Sequence, residues 1–364
     1  MKHVFPISDK YLVRLTCSQT KVINATRCLL VILVVFIHVL PNRNPTLDTS
    51  DVSSCLYSVI TEMISHNIAK IAVPCFFVFS GFFFFYTFDG VMSGKWLAGK
   101  LKKRIKTLLL PYLFWNIVFV GLIILKNNAV LHTGAGDDFY NQLRELGWYG
   151  VMWGWPINLP LWYIRDLLCL SIISPIFYYL FKYLKGYGLL LLAMPYYLLV
   201  DTGIPGFGTV SLFFFGVGAY LSVNRINMIS VANNFEAFGY SAAILFLISS
   251  VLLSGNAAHE IVIRFFIPFG IVSLINLVCR MGERTVSLLS SFAACSFFVY
   301  AAHWIYIRNW SNGLAVHLFG SGMSGRWLSY FFSPLFTILV CAAVFFVMKR
   351  FMPGTLRLIN GGRI

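Results

Sequence analysis

Charge is what this chain has least of. Of its 364 residues only 11% are Asp, Glu, Lys or Arg, against roughly a quarter in a water-soluble domain. Acids are scarcest, 13 beside 28 Lys and Arg. Too few charges are available to cover a globule facing water on every side, which excludes a soluble fold. Apolar–polar alternation is missing as well: the hydrophobic runs are continuous, and that excludes a transmembrane β-barrel. The eight cysteines are scattered, with no C-x-x-C or Cys/His ligand spacing. Neither a zinc site nor a disulfide framework is supported, and no metal is expected. No Gly/Ser linker marks off a soluble domain, and no repeat is visible. No small-residue cleavage pattern follows the first apolar run, which reads as a retained helix.

What remains is a series of apolar runs of membrane-spanning length. The sequence predicts an all-α, polytopic membrane protein with about ten spans, at 24–40, 68–88, 105–125, 160–181, 187–201, 206–223, 237–254, 260–279, 286–307 and 328–348. The run 187–201 is short for a bilayer, and its crossing is left open. Lys and Arg collect in alternate connections, from Lys2, Lys10, Arg14 and Lys21 through Lys95–Lys106 to Lys349 and Arg350. Acids such as Asp48, Asp51, Glu62, Asp137 and Glu260 fall in the others. The bias places both termini in the cytoplasm and explains the +15 charge without nucleic acid. It divides the chain into a cytoplasmic segment 1–23, one transmembrane domain 24–350 and a cytoplasmic tail 351–364. Trp148, Trp153 and Trp155, in the long connection 126–159, read as an interfacial belt or a re-entrant loop.

The first span holds two ionisable groups. Arg27 and His38 are eleven residues apart, within about 20° of three full turns and about 16 Å along the axis. They share a face, Arg27 at the cytoplasmic end and His38 toward the outside. Such residues usually face a cavity or a partner rather than lipid. A buried imidazole stays neutral, the form a general base requires. Lys103 and Arg104, at the depth of Arg27, complete a cationic mouth for a polyphosphate. Ser80 and Gly81 form a notch for close helix approach or a slim ligand arm. Arg165 and Asp166 point about 100° apart on a helix, so they are not expected to pair with each other. Tyr300, His303 and Tyr306 fall at spacing three along one face. His303 reaches the depth of His38.

These pieces resemble the acyltransferase-3 family of integral membrane acyltransferases. The likeness rests on Arg27-x10-His38, F-F-V-F-S-G (Phe76 to Gly81), and a basic run ending in Arg104 ahead of Pro111-Tyr112. L-W-Y (Leu161 to Tyr163) and S-F-F-V-Y-A-A-H (Ser296 to His303) complete it. The resemblance implies transfer of an acyl group, often acetyl, from cytoplasmic acyl-CoA to a hydroxyl of a cell-surface or lipid-linked glycan. It implies His38 as the catalytic histidine, with Arg27 and Arg104 serving the donor; Lys103 and Ser80, from their positions above, join them as donor candidates. Trp162, Tyr163, Arg165, Tyr300 and His303 become candidates for the acceptor. The setting implied is a bacterial inner membrane, with lipid as partner and a homo-oligomer permitted. A transporter or flippase of a glycan or small anion is the competing reading. It would more often show matching half-repeats and Gly/Pro-broken helices.

Overall fold

The computed structural model describes residues 16–40, 47–88, 90–129 and 135–363, so the basic residues Lys2, Lys10 and Arg14 lie outside it. Among the described residues every regular element is helical. Five helices are long and apolar enough to cross a membrane, or eight if each of three bent pairs counts as one span.

The first three helices begin earlier than the apolar runs do. Helix α1 (Cys17–Ile37) starts at a capping box: Thr16 accepts from the Gln19 amide, and the Gln19 side chain accepts from the Thr16 amide. Helix α2 (Val52–Phe85, 34 residues) opens on Asp51, which caps the amides of Ser53 and Ser54. Those bonds hold the Asp51 carboxyl well below the usual carboxylate range. Residues 52–67, expected to be a connection, are therefore helical. Glu62, expected to be a loop acid, is buried instead against His66, 2.6 Å away. The backbone runs as π-helix over Met63–Asn67, where Asn67 donates to the Glu62 carbonyl and accepts from Ser250. Internal partners let this polar turn sit inside an apolar helix. Helix α3 (Gly94–Lys126) is capped by Ser93 and carries the whole basic run Lys100 to Arg104.

A helix over Ala135–Tyr149 (α4) and a π-helical turn fold back over the bundle. There Tyr112 donates to the Met152 carbonyl, and Asn158 donates to that of Ala301. The span read at 160–181 is two helices, α5 (Leu159–Ile172) and α6 (Ser174–Leu184), bent by 61°. The runs 187–201 and 237–254 become α7 (Gly186–Tyr197) and α10 (Glu236–Leu252), of 12 and 17 residues. Between them lie α8 (Thr209–Val223) and α9 (Met228–Asn234), with a bend of 104°. Helix α11 (Ala258–Arg280) is straight enough to count as one span, whereas α12 (Glu283–Ser291) and α13 (Ala293–Ala302) meet at 48°. Then follow α14 (Ile307–Phe319), α15 (Met323–Phe351) and α16 (Pro353–Ile359).

Lipid gives apolar helices no reason to associate, so close packing must do it. The notch at Ser80-Gly81 performs that role. A Cβ on Gly81 would lie 2.1 Å from the Phe215 carbonyl oxygen, and one on Gly218 would lie 2.0 Å from that of Val78. Helices α2 and α8 thus touch backbone to backbone.

Candidate active site

One stripe of α1 lines two cavities in succession. Asn24, Arg27 and Val31 face a cavity of about 470 Å³, and Val34, Ile37 and His38 face a second of about 740 Å³. Steps of three and four residues keep these side chains on one face. Tyr300 of α13 lines both cavities, so they adjoin at its side chain. Its hydroxyl donates to the Pro160 carbonyl and ties α13 to α5 there. A third cavity, of about 580 Å³, is bounded by Trp115, Phe298, Trp310 and Val344 and is almost wholly apolar. Lys126 and Tyr306 also line it, but no histidine or carboxylate does.

The smaller cavity is basic. The Arg27 guanidinium lies 5.0 Å from the Phe83 ring centroid and 5.8 Å from that of Phe79, and it donates to Asn24 at 3.4 Å. Arg104 enters because α3 continues through the basic run, and it lies 5.4 Å from the Phe84 ring. Arg363, from the tail 351–364, is a third cation there. Burial, then the nearby Arg27 and Arg104, lower its pKa to about 10 against the pull of Tyr163, so it stays protonated at neutral pH. Among the described residues none of the three arginines has an acidic partner. Ser80 and Tyr163 share a 2.9 Å hydrogen bond deeper in the same cavity. Lys103 does not join them: it is exposed and lines neither cavity.

The larger cavity holds the histidine. His38 is the residue just past the last turn of α1. Its ring stacks on His303 with centroids 5.5 Å apart and meets Trp304 edge-on at 4.8 Å. Arg308 donates to the His38 carbonyl at 3.0 Å and lies over the Trp304 ring at 4.3 Å. The backbone of His38 is thereby fixed. Among the described residues no side chain or carbonyl bonds its imidazole nitrogens, which leaves them for a ligand. His303 lines neither cavity. Its Nδ1 faces the carbonyls of Tyr300 at 2.8 Å and Val299 at 3.1 Å, so that nitrogen carries the proton. Its Nε2 is buried without a partner.

Adjacent residues at the start of α5 divide between the cavities. Tyr163 faces the basic one, and Trp162, Arg165 and Asp166 face the histidine one. Arg165 and Asp166 do pair, contrary to expectation, through Nε and Nη2 onto one carboxylate oxygen at 3.0 and 2.8 Å. The Cβ directions diverge, but the long arginine stem curls back past one residue. Nη1 of Arg165 donates to the carbonyls of Trp153 and Gly154, which tethers the folded-back connection. Tyr306 is likewise not on the face of Tyr300 and His303. Helix α13 stops at Ala302, and Tyr306 takes a left-handed φ of 57° before α14. The histidine cavity also gathers Trp155, Asp201 and Arg264, none of which the sequence reading singled out as a site residue. They arrive from distant segments, and no local spacing announces them.

A cationic pocket thus adjoins an aromatic and carboxylate-lined pocket that holds a histidine. A family model described as an acyltransferase domain matches residues 21–346. The chain is similar to the succinoglycan biosynthesis protein ExoH of Rhizobium meliloti (strain 1021). The two are 26% identical over 365 residues, a match covering 94% of this chain and 92% of the relative. No solved structure matches it.

Proposed function

Since this chain belongs to the acyltransferase-3 family, we propose that it moves an acyl group from cytoplasmic acyl-CoA to a hydroxyl of a cell-surface or lipid-linked glycan, with His38 as general base. The observation that carries this reading is the pair of cavities on one stripe of α1, joined at Tyr300. Arg27 and Arg104 hold donor phosphates, since a guanidinium without a carboxylate is suited to a phosphate in bidentate fashion. The slender arm of the donor runs past Ser80 and Tyr163 toward Tyr300, over the span of about 16 Å that separates Arg27 from His38 along the helix. The acceptor occupies the histidine cavity, where Trp155 and Trp162 offer ring faces to a sugar and Asp201 accepts hydrogen bonds from its hydroxyls.

His38 takes the proton of the acceptor hydroxyl as its oxygen attacks the thioester carbonyl. The carbon–sulfur bond then breaks, and the leaving thiolate recovers that proton from His38. The products are a glycan ester and free coenzyme A. Acetyl is the acyl group we favour, and a bacterial inner membrane is the setting. A glycan acceptor is consistent with the relative being a succinoglycan biosynthesis protein.

The test is His38→Gln, because an amide keeps hydrogen-bonding capacity at similar size but cannot act as a base near neutral pH. The variant is expected to fold and bind acetyl-CoA like the parent, with transfer reduced by the ~10²–10⁴-fold of a lost general base. Substantial turnover in that variant would remove His38 from the chemistry.

A further inference from the structure

Arg363 is too carefully placed to be a loose surface charge. The chain returns to the bundle after α15, with Leu356, Ile359 and Asn360 buried. Trp115 donates to the Ile359 carbonyl at 3.1 Å, and Asn360 donates to that of Ala294 at 3.3 Å. Two glycines with φ of 62° and 84°, Gly361 and Gly362, then make a turn that residues with a side chain resist. Gly361 passes so close to α3 that a Cβ there would lie 2.4 Å from the Thr107 carbonyl oxygen. The turn delivers Arg363 onto the Phe297 ring at 4.5 Å. Nη1 donates to the carbonyls of Thr107 at 3.3 Å and Asn360 at 3.2 Å. One corner of the guanidinium is anchored, while Nε and Nη2 have no protein acceptor among the described residues.

A planar fork held by one corner beside two other unpaired arginines is a preformed anion contact. Three like charges in one buried cavity repel, and each was drawn from a different element: α1, α3 and the Gly361-Gly362 turn. A ligand carrying several negative charges would relieve that repulsion. We propose that Arg363 is a third donor-binding residue, and that the segment 352–363 forms part of the wall of the donor site. The inference rests on the reading above that the donor is a coenzyme A thioester. A coenzyme's nucleotide end carries three phosphates, enough to engage three arginines. The site would accordingly discriminate against acyl carriers with a single phosphate.

Coenzyme A binding to the purified full-length chain, by calorimetry, tests this directly. Arg363→Ala is expected to weaken binding at least about tenfold, with Arg363→Lys recovering part of the loss. Arg363→Gln keeps an amide able to donate to the Thr107 carbonyl, so it separates charge from anchoring; it should bind as poorly as the alanine variant. Gly361→Ala leaves the charge intact but moves it, and should also weaken binding. In a parallel titration phosphopantetheine, with one phosphate, should bind the parent more weakly than coenzyme A and lose little in Arg363→Ala. If Arg363→Ala and Arg363→Gln bind coenzyme A within twofold of the parent while Arg27→Ala does not, Arg363 is only a packing residue and this inference falls alone. A parent chain that fails to bind coenzyme A would overturn the donor reading, and this one with it.

Discussion

Arg27 and Arg104 lie among phenylalanine rings rather than carboxylates, and that sets their energetics. Cation–π contacts hold a guanidinium by about 0.5–2 kcal/mol, too little to replace its hydration. Among the described residues Arg27 finds the Asn24 oxygen as its one hydrogen-bond acceptor besides. Each arginine therefore has bonding capacity left for a ligand, and a charge-assisted contact contributes roughly 1.5–3 kcal/mol. Arg27→Ala and Arg104→Ala should each weaken acetyl-CoA binding by about ten- to a hundredfold, and Arg→Lys should restore only part. Unchanged affinity in both alanine variants would reduce these residues to membrane anchors. Tyr300 makes a different prediction because, lining both cavities, it is placed to narrow the passage between the donor's and the acceptor's. Tyr300→Ala should merge the two and admit water to the thioester, raising acetyl-CoA hydrolysis without acceptor while transfer falls. Hydrolysis at the parental rate would show that something else narrows the passage. The stripe of Arg27 and His38 was legible in the sequence because eleven residues close almost three turns. The Arg165–Asp166 pair was misread because Cβ directions ignore the length of an arginine stem. Arg363 gave little local signal, since the positive-φ glycines before it acquire meaning only beside Thr107.

At the scale of helices, the contact between α2 and α8 depends on two glycines. Gly81→Ala and Gly218→Ala each drive a methyl into a carbonyl of the facing helix, and neither helix can yield locally. Each should destabilise the fold by about 1–3 kcal/mol, as overpacking does. Gly121, also helical, has open space around its missing Cβ. Gly121→Ala should leave stability unchanged or slightly raised, through helix propensity. Melting in detergent decides, and Gly81→Ala melting with the parent would contradict the backbone-to-backbone packing. Helix existence was legible wherever an apolar run was long, but helix starts were not. The hydropathy of residues 52–67 is broken by Glu62, Ser65, His66 and Asn67; the bonds of Glu62 to His66 and Asn67, and of Ser65 to Tyr330, are invisible until the helix is formed and packed. The start of α1 was readable in principle, since Thr16 and Gln19 spell a capping box.

For the whole molecule, the account requires that the basic and histidine cavities open to opposite sides of the membrane, so that only the acyl group crosses. From the Lys and Arg bias the basic cavity is expected to open toward the cytoplasm, and Ser93, at the start of α3, offers a label site. A cysteine at Ser93 should react only from the cytoplasmic side; reaction only from outside would reverse the topology and the direction of transfer. Orientation signals and binding residues share one composition, so the sequence does not tell exposed Lys103 from Arg104, which lines the basic cavity. The most direct measurement of the central claim uses sealed, oriented vesicles holding the purified chain. Radiolabelled acetyl-CoA is confined to the Ser93 side, and glycan prepared from cells lacking this gene is confined to the other. The account predicts labelled glycan in those vesicles, and none when His38 is replaced by Gln. Label reaching the glycan only when both substrates share one side would contradict it.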